Sequence, residues 1–316
     1  MITFKQVTKT YAQSVALQRV NLTINSRELF VLVGPSGSGK TTLLKMINRL
    51  NEPTSGEVRI DDQKVNDVEV QTLRRTIGYV LQSGALFPNM TVFENAAISL
   101  AVLGWPIKKQ HERVNALLQL VGLAPQKFAE RHPSELSGGE AQRVGIVRAL
   151  AADPLIVLMD EPFSALDPIS KRQLQELVLT LHQRLETTFV FVTHDMQEAI
   201  KLADRMAVIH NGELQQVGTP AEILMMPKNK FVTNFFAGEV NTKLYLQAVL
   251  TAHLGTVSSS ETSNDAIELK RTDTLSTWAA ILAKKPRALI RVDGKVLAPQ
   301  DLMQYMATIQ LGGQRK

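Results

Sequence analysis

The sequence predicts an α/β fold on a mostly parallel sheet, with a helical subdomain inserted into it and a small α+β domain behind it. Three observations predict this. Short runs of apolar and β-branched residues, Leu29–Val33, Leu155–Met159 and Thr188–Val192, alternate with longer helical patterns, as in sheets whose strands are covered on both faces. From about residue 92 to 150 the composition turns helical, punctuated by Gly104, Pro106, Gly122, Pro125 and Pro133. Near residue 238 the pattern changes, and ten Lys/Arg against seven Asp/Glu follow with a Ser/Thr-rich stretch, Thr256–Ser263, between them. The domains expected are therefore 1–238, with the helical insertion at about 92–150, and 239–316.

In chain order, Ile2-Thr3-Phe4 and Val20–Ile24 are short β-like runs. Leu29–Val33 is a buried strand ended by Gly34, and Lys40–Leu50 places Leu43, Ile47 and Leu50 on one helical face. Glu57–Ile60 and Ile77–Leu81 are further strands, and Lys171–Leu185 is a long helix. Arg205–His210 closes on an Asn211-Gly212 turn.

The 316 residues contain no cysteine, which excludes a disulfide framework, a thiolate metal site and a cysteine nucleophile. No run approaches the roughly 20 apolar residues a spanning helix requires, and the opening MITFKQVTKTY has no apolar stretch of the kind that directs secretion. A net charge of +5 suits phosphate, anionic lipid or nucleic acid alike.

Gly34-Pro35-Ser36-Gly37-Ser38-Gly39-Lys40-Thr41 fits the phosphate-loop pattern in its expected setting, after a strand and before a helix. The glycines let successive N–H groups converge on a phosphate at a helix N-terminus. Lys40 reaches the β- and γ-phosphates, the Thr41 hydroxyl suits Mg²⁺, and Thr42 extends the loop. Asp160 and Glu161 follow the apolar strand at Leu155–Met159. Asp160 is placed to hold Mg²⁺, and Glu161 to polarise an attacking water. A third element, Leu136-Ser137-Gly138-Gly139-Glu140, opens another helix. It is either a second anion-binding N-terminus or an ordinary S-x-x-E capping box made by Ser137 and Glu140.

Taken in this order, the segments resemble an ATP-binding cassette (ABC) ATPase over residues 1 to about 238, a P-loop NTPase whose family carries an LSGGQ-type segment just before the Asp-Glu strand. The resemblance implies ATP and Mg²⁺ as ligands. It implies Tyr11 as the adenine-stacking residue and Gln82 as the residue linking Mg²⁺ and water to a membrane partner. It also implies Ser164–Asp167 as the D-loop and His194 as the switch histidine. Lys40, Gln82, Glu161 and His194 are then the catalytic set; Thr41, Gln82 and Asp160 serve the metal. The alternative reading makes Tyr11 an edge-strand aromatic, and Leu86 and Phe87 plain core residues. Glu140 departs from the family's usual Gln. The histidines His111, His132, His182, His210 and His253 show no metal-ligand spacing and are expected to take no catalytic part.

The family pairs two copies head to tail, Ser137-Gly138-Gly139 of one closing over the phosphate loop of the other. It docks on transmembrane permease subunits near Ser83–Met90, with an extracytoplasmic substrate-binding protein indirectly involved, which places the chain at the cytoplasmic face of the membrane as a peripheral protein with no nucleic-acid partner. Ile47–Gly56, Gly78–Gln82, Leu86-Phe87-Pro88 and Asp160–Ser170 resemble the ATPases that import quaternary ammonium osmoprotectants: glycine betaine, carnitine and choline. Importers of other small solutes, such as an amino acid, are the alternative. A nucleic-acid ATPase is a more distant one, since Lys40 and Ser137 are not separated by a long coiled coil. Residues from Thr274 to Met303 resemble one degenerate CBS unit: helix, strand, Asp-Gly turn, strand, helix. A dimerisation appendage without a ligand is the other reading.

Overall fold

A computed structural model describes residues 1–12, 14–81, 85–237, 246–252, 254–257 and 266–312. The chain divides into two units, Met1–Pro220 and Ala221–Lys316.

The strands of the first unit are β1 (Ile2–Tyr11), β2 (Ser14–Ile24), β3 (Leu29–Val33), β4 (Ser55–Ile60), β5 (Gln63–Lys64), β6 (Ile77–Val80), β7 (Ile156–Asp160), β8 (Thr188–Thr193), β9 (Arg205–His210) and β10 (Glu213–Gly218). Its helices are α1 (Lys40–Ile47), α2 (Val70–Arg75), α3 (Val92–Val102), α4 (Ile107–Leu120), α5 (Pro125–Phe128), α6 (Gly138–Leu150), α7 (Pro168–Arg184) and α8 (Met196–Leu202). Two sheets form, in the orders β2-β1-β4-β5 and β10-β9-β3-β8-β7-β6. The first is antiparallel. The second is parallel except where β9 turns into β10.

Leu29–Val33 is buried at every position, as expected of a strand flanked by β8 and β9 with a helix layer above and a second sheet below. Phe30 and Leu32 on one of its faces join Leu17, Val20 and Ile24 of β2 and Leu43, Leu44 and Ile47 of α1 in one core. Each such side chain contributes roughly 1.5–3 kcal/mol relative to exposure. β1 is longer than the three residues its sequence suggests. Gln6 has φ 50°, and register shifts fall between Phe4 and Val7 and again on either side of Lys9. Such bulges interrupt the two-residue alternation by which a strand is recognised.

In the second unit, α9 (Pro220–Met225), α10 (Lys230–Phe236) and α11 (Leu246–Thr251) precede β11 (Thr256–Val257), β12 (Ile267–Glu268), α12 (Leu275–Lys284), β13 (Ile290–Val292), β14 (Lys295–Leu297) and α13 (Pro299–Gly312). The sheet order is β11-β14-β13-β12, with β12 parallel to β13 and the β13–β14 hairpin antiparallel. Asp293 and Gly294, at φ 49° and 76°, take the left-handed conformations a two-residue hairpin turn requires. Trp278, Ile290, Val292 and Leu297 form its core with Leu246 and Val249.

Candidate active site

The phosphate loop leaves the end of β3 and turns into α1 at Gly39, whose φ is 103°. A Cβ there would lie 2.6 Å from the Ala16 carbonyl, and one at Gly34 would lie 2.0 Å from that of Ile209. Only glycine fits either place. The Asn211-Gly212 turn supports the loop from below, Gly212 N donating to Ser38 O at 3.1 Å.

Lys40 is 4% exposed. Its ammonium donates to the carbonyls of Gly34 at 2.8 Å and Pro35 at 2.7 Å. Burial lowers its pKa, and the carboxylates of Glu161 and Asp160 work against that. The positive charge thus sits within the loop itself, near the two acidic residues that end β7. Thr41 Oγ1 donates to Asp160 Oδ1 at 2.8 Å, so the first turn of α1 meets the end of β7. Tyr79 Oη donates to the other oxygen, Oδ2, at 3.2 Å. Its phenol is raised above the usual range, by burial first and by Asp160 next.

Glu161 follows with φ 47°, a left-handed conformation that is strained for a side-chain-bearing residue and is concentrated at functional sites. The turn is held by Glu161 N donating to Val192 O at 3.1 Å. His194 Nδ1 stands 3.2 Å from Glu161 Oε2. Behind His194, Asp195 caps α8, and Lys171 of α7 reaches Asp195 Oδ2 at 2.6 Å and Glu198 Oε1 at 2.7 Å. Burial alone would lower Lys171, but its two carboxylate partners outweigh it and raise the ammonium's pKa.

Ser137 is the N-cap of α6 and makes the full capping box. Its Oγ accepts from Glu140 N at 3.3 Å, and Glu140 Oε2 accepts from Ser137 N at 2.8 Å. The capping-box reading of this segment is therefore realised. It is compatible with anion binding, since Ser137 Oγ accepts in the box and keeps its O–H to donate. Gly138 and Gly139 lie against Leu166 and the first turn of α7: a Cβ on Gly138 would stand 3.6 Å from Leu166, and one on Gly139 3.2 Å from Ser170.

The structure thus brings together Gly34 to Thr42, Asp160, Glu161 and His194. Tyr11 lies at the far end of β1, partly exposed, with Lys9 Nζ 4.8 Å from its ring centroid. Gln82, Ser83, Gly84 and His253 lie outside the described residues. The chain on both sides of 82–84 is held by α6, Gln142 donating to Leu81 O at 3.1 Å and Arg148 to Ala85 O at 2.9 Å. Phe87 is 46% exposed and so is no core residue. Asn95, fully buried on α3, organises its loop: Nδ2 donates to the carbonyls of Phe87, Met90 and Thr91, and Oδ1 accepts from Phe87 N. The sequence reading missed Tyr79, Asn95 and Lys171. Asn95, a polar residue inside an apolar helical run, carried the one local sign.

A sequence model described as "ABC transporter" matches residues 17–164. The choline transport ATP-binding protein OpuBA of Bacillus subtilis (strain 168) is 44% identical over 288 residues, covering 89% of this chain and 75% of that protein. The glycine betaine/carnitine/choline transport ATP-binding protein OpuCA of the same organism is 46% identical over 284 residues, covering 87% and 74%. Among solved structures, a dimeric post-hydrolysis state of the ATP-binding cassette MJ0796 bound to ADP and Pi matches with a TM-score of 0.63 and 36% identity, over 70% of this chain and 99% of that one. The fold and site are those of an ATP-binding cassette ATPase. The chain belongs to the ABC transporter family, as one of its ATP-binding subunits.

Proposed function

We propose that this chain is the ATP-hydrolysing subunit that powers import of a quaternary ammonium osmoprotectant of the glycine betaine, carnitine and choline class through a separate membrane permease. The contact between Thr41 Oγ1 and Asp160 Oδ1 carries the catalytic part of the reading. A hydroxyl and a carboxylate meeting beside a phosphate loop are the hard oxygen donors that suit Mg²⁺ held jointly with ATP phosphates. Bound there, the metal would supply charge neutralisation on the phosphates.

The chain's own groups do the rest. Backbone amides of Gly37, Ser38, Gly39 and Lys40 and the Lys40 ammonium bind and orient the β- and γ-phosphates. Glu161 accepts the proton of a water attacking the γ-phosphate in line, and His194 holds the terminal phosphate on the same side. Tyr11 offers a ring face to adenine. Ser137, Gly138 and Gly139 close over the phosphate loop of a second copy and exclude water from it, and closure and reopening of that head-to-tail pair is the mechanical output.

The permease is expected at the groove of about 430 Å³ lined by β6, α3 and α6, with Gln82 as its link to the site. Among the described residues no helix is long and apolar enough to cross a membrane, which suits a peripheral subunit at the cytoplasmic face. Substrate recognition then belongs to the permease and an extracytoplasmic binding protein, and the assignment of substrate rests on the relatives. In the second unit, the succession β12-α12-β13-β14-α13 supports a single CBS-like regulatory or dimerisation unit.

The test is uptake of labelled glycine betaine, carnitine and choline, against polar amino acids and methionine, in cells carrying the neighbouring transporter genes with the intact chain or Lys40→Ala. Loss of quaternary-amine uptake in the variant is expected. Intact quaternary-amine uptake beside loss of another solute would keep the ATPase and overturn the substrate.

A further inference from the structure

Tyr79 touches two places that the ATPase reading treats separately. It lies on β6, the edge strand of the larger sheet. Its hydroxyl donates to Asp160 Oδ2, while Thr41 holds Oδ1. Lys45 Nζ is 3.9 Å from the same Oδ2, a neighbouring charge and no hydrogen-bond partner at that distance. Both oxygens of the carboxylate are thereby pinned from opposite sides, one by the helix of the phosphate loop and one by the edge strand.

The same tyrosine lines the groove between α3 and α6, with Gly78, Ile98, Val102 and Arg148 around it. The wall is closely packed at this point. A Cβ on Gly78 would lie 2.4 Å from the Ala149 carbonyl, so α6 rests directly on the backbone next to Tyr79. A phenylalanine would fill the wall as well as a tyrosine. The half-buried hydroxyl needs a partner, and the partner it has is the carboxylate assigned to the metal.

We infer that Tyr79 is a positioning residue that sets the Asp160 carboxylate for the metal and carries the state of the groove to it. The inference rests on the reading of Thr41 and Asp160 as metal-binding groups. Partners that orient a ligating carboxylate govern metal affinity by about tenfold or more. A permease segment seated in the groove at Tyr79 shifts the hydroxyl, and with it the carboxylate, by a route independent of residue 82. Coupling of this kind is demonstrated by a double-mutant cycle and not by proximity.

The test uses the full chain with saturating ATP and Mn²⁺ as the metal, free Mn²⁺ being read by electron paramagnetic resonance. Tyr79→Phe is expected to weaken Mn²⁺ binding about tenfold while leaving ATP affinity in EDTA unchanged. Val102, on the opposite wall, is 70% exposed, so Val102→Trp crowds the groove without overfilling the core. It is expected to change Mn²⁺ affinity at least about threefold in the parent and to have no effect in the Tyr79→Phe background. Unchanged Mn²⁺ binding in Tyr79→Phe, no effect of Val102→Trp in the parent, or an equal effect of it in both backgrounds overturns the inference. A parent chain that takes up no Mn²⁺ with ATP would sink the metal reading itself, and this inference with it.

Discussion

His194 Nδ1 lies 3.2 Å from Glu161 Oε2 although 33 residues separate the two in sequence. The parallel pairing of β7 with β8, Asp160 opposite Val192, delivers both side chains to the same end of the sheet, where ligands of open α/β sheets bind. Glu161→Gln keeps the shape of the site and removes the proton acceptor. It is expected to bind ATP, hold a closed dimer detectable by light scattering, and turn over about 10²–10⁴-fold more slowly. Hydrolysis near the parent rate would remove Glu161 from the base role.

Lys171 does not touch the phosphate loop, yet it bridges Asp195 and Glu198 directly behind His194. Glu198 is buried, so Lys171→Ala leaves a carboxylate without its cation, at a cost of roughly 2–3 kcal/mol given the partly solvated lysine. The turn carrying His194 loses its anchor to α7. The expected result is a lower kcat at unchanged KM for ATP, with both kcat and melting temperature restored by Lys171→Arg. Failure of arginine to restore kcat would mean that the ion pair does not position His194.

How much of this was legible in the sequence follows from how local each signal is. The phosphate loop is one unbroken segment whose glycines, lysine and threonine each act where they stand, and the Ser137–Glu140 box closes over three residues. Tyr79 meets its partner across 81 residues and Lys171 across 24; those contacts exist only once β6 lies beside β7 and α7 beside α8. The strand around Gln6 was hidden for a different reason, because its bulges break the alternation on which strand recognition depends. Helix ends shifted by a turn or less: Lys40–Leu50 stops at Ile47, where Asn48 takes over as C-cap.

Asn95 spends its whole side-chain amide on residues 87–91. Asn95→Ala strands buried backbone groups and is expected to cost roughly 2–3 kcal/mol in chemical denaturation. Because residues 87–91 belong to the segment expected to meet the permease and form no part of the phosphate loop, ATP affinity of the folded variant should remain at the parent value while uptake falls. Uptake equal to the parent's would show that this loop has no part in coupling.

Glu140 stands where the family usually has Gln, and the structure gives its carboxylate a task either residue can perform. It accepts the Ser137 N–H at 2.8 Å, and that backbone hydrogen bond holds the carboxyl below its usual range. A carboxyl depressed in the folded state stabilises fully above its unfolded pKa, and the contribution disappears as pH falls through the folded value. Glu140→Gln completes the same box with a neutral amide and forgoes only the attraction between a negative charge and the N-terminus of α6, about 0.5 kcal/mol for a partly solvated group. Denaturation midpoints of parent and variant should therefore differ slightly near neutral pH and converge in acid, below the ordinary carboxylate range of about 4. ATP hydrolysis should survive the exchange, because the N–H groups of Gly138 and Gly139 and the Ser137 hydroxyl are untouched. A stability difference that persists unchanged into acid would show that the carboxylate's charge is not what Glu140 contributes at the cap.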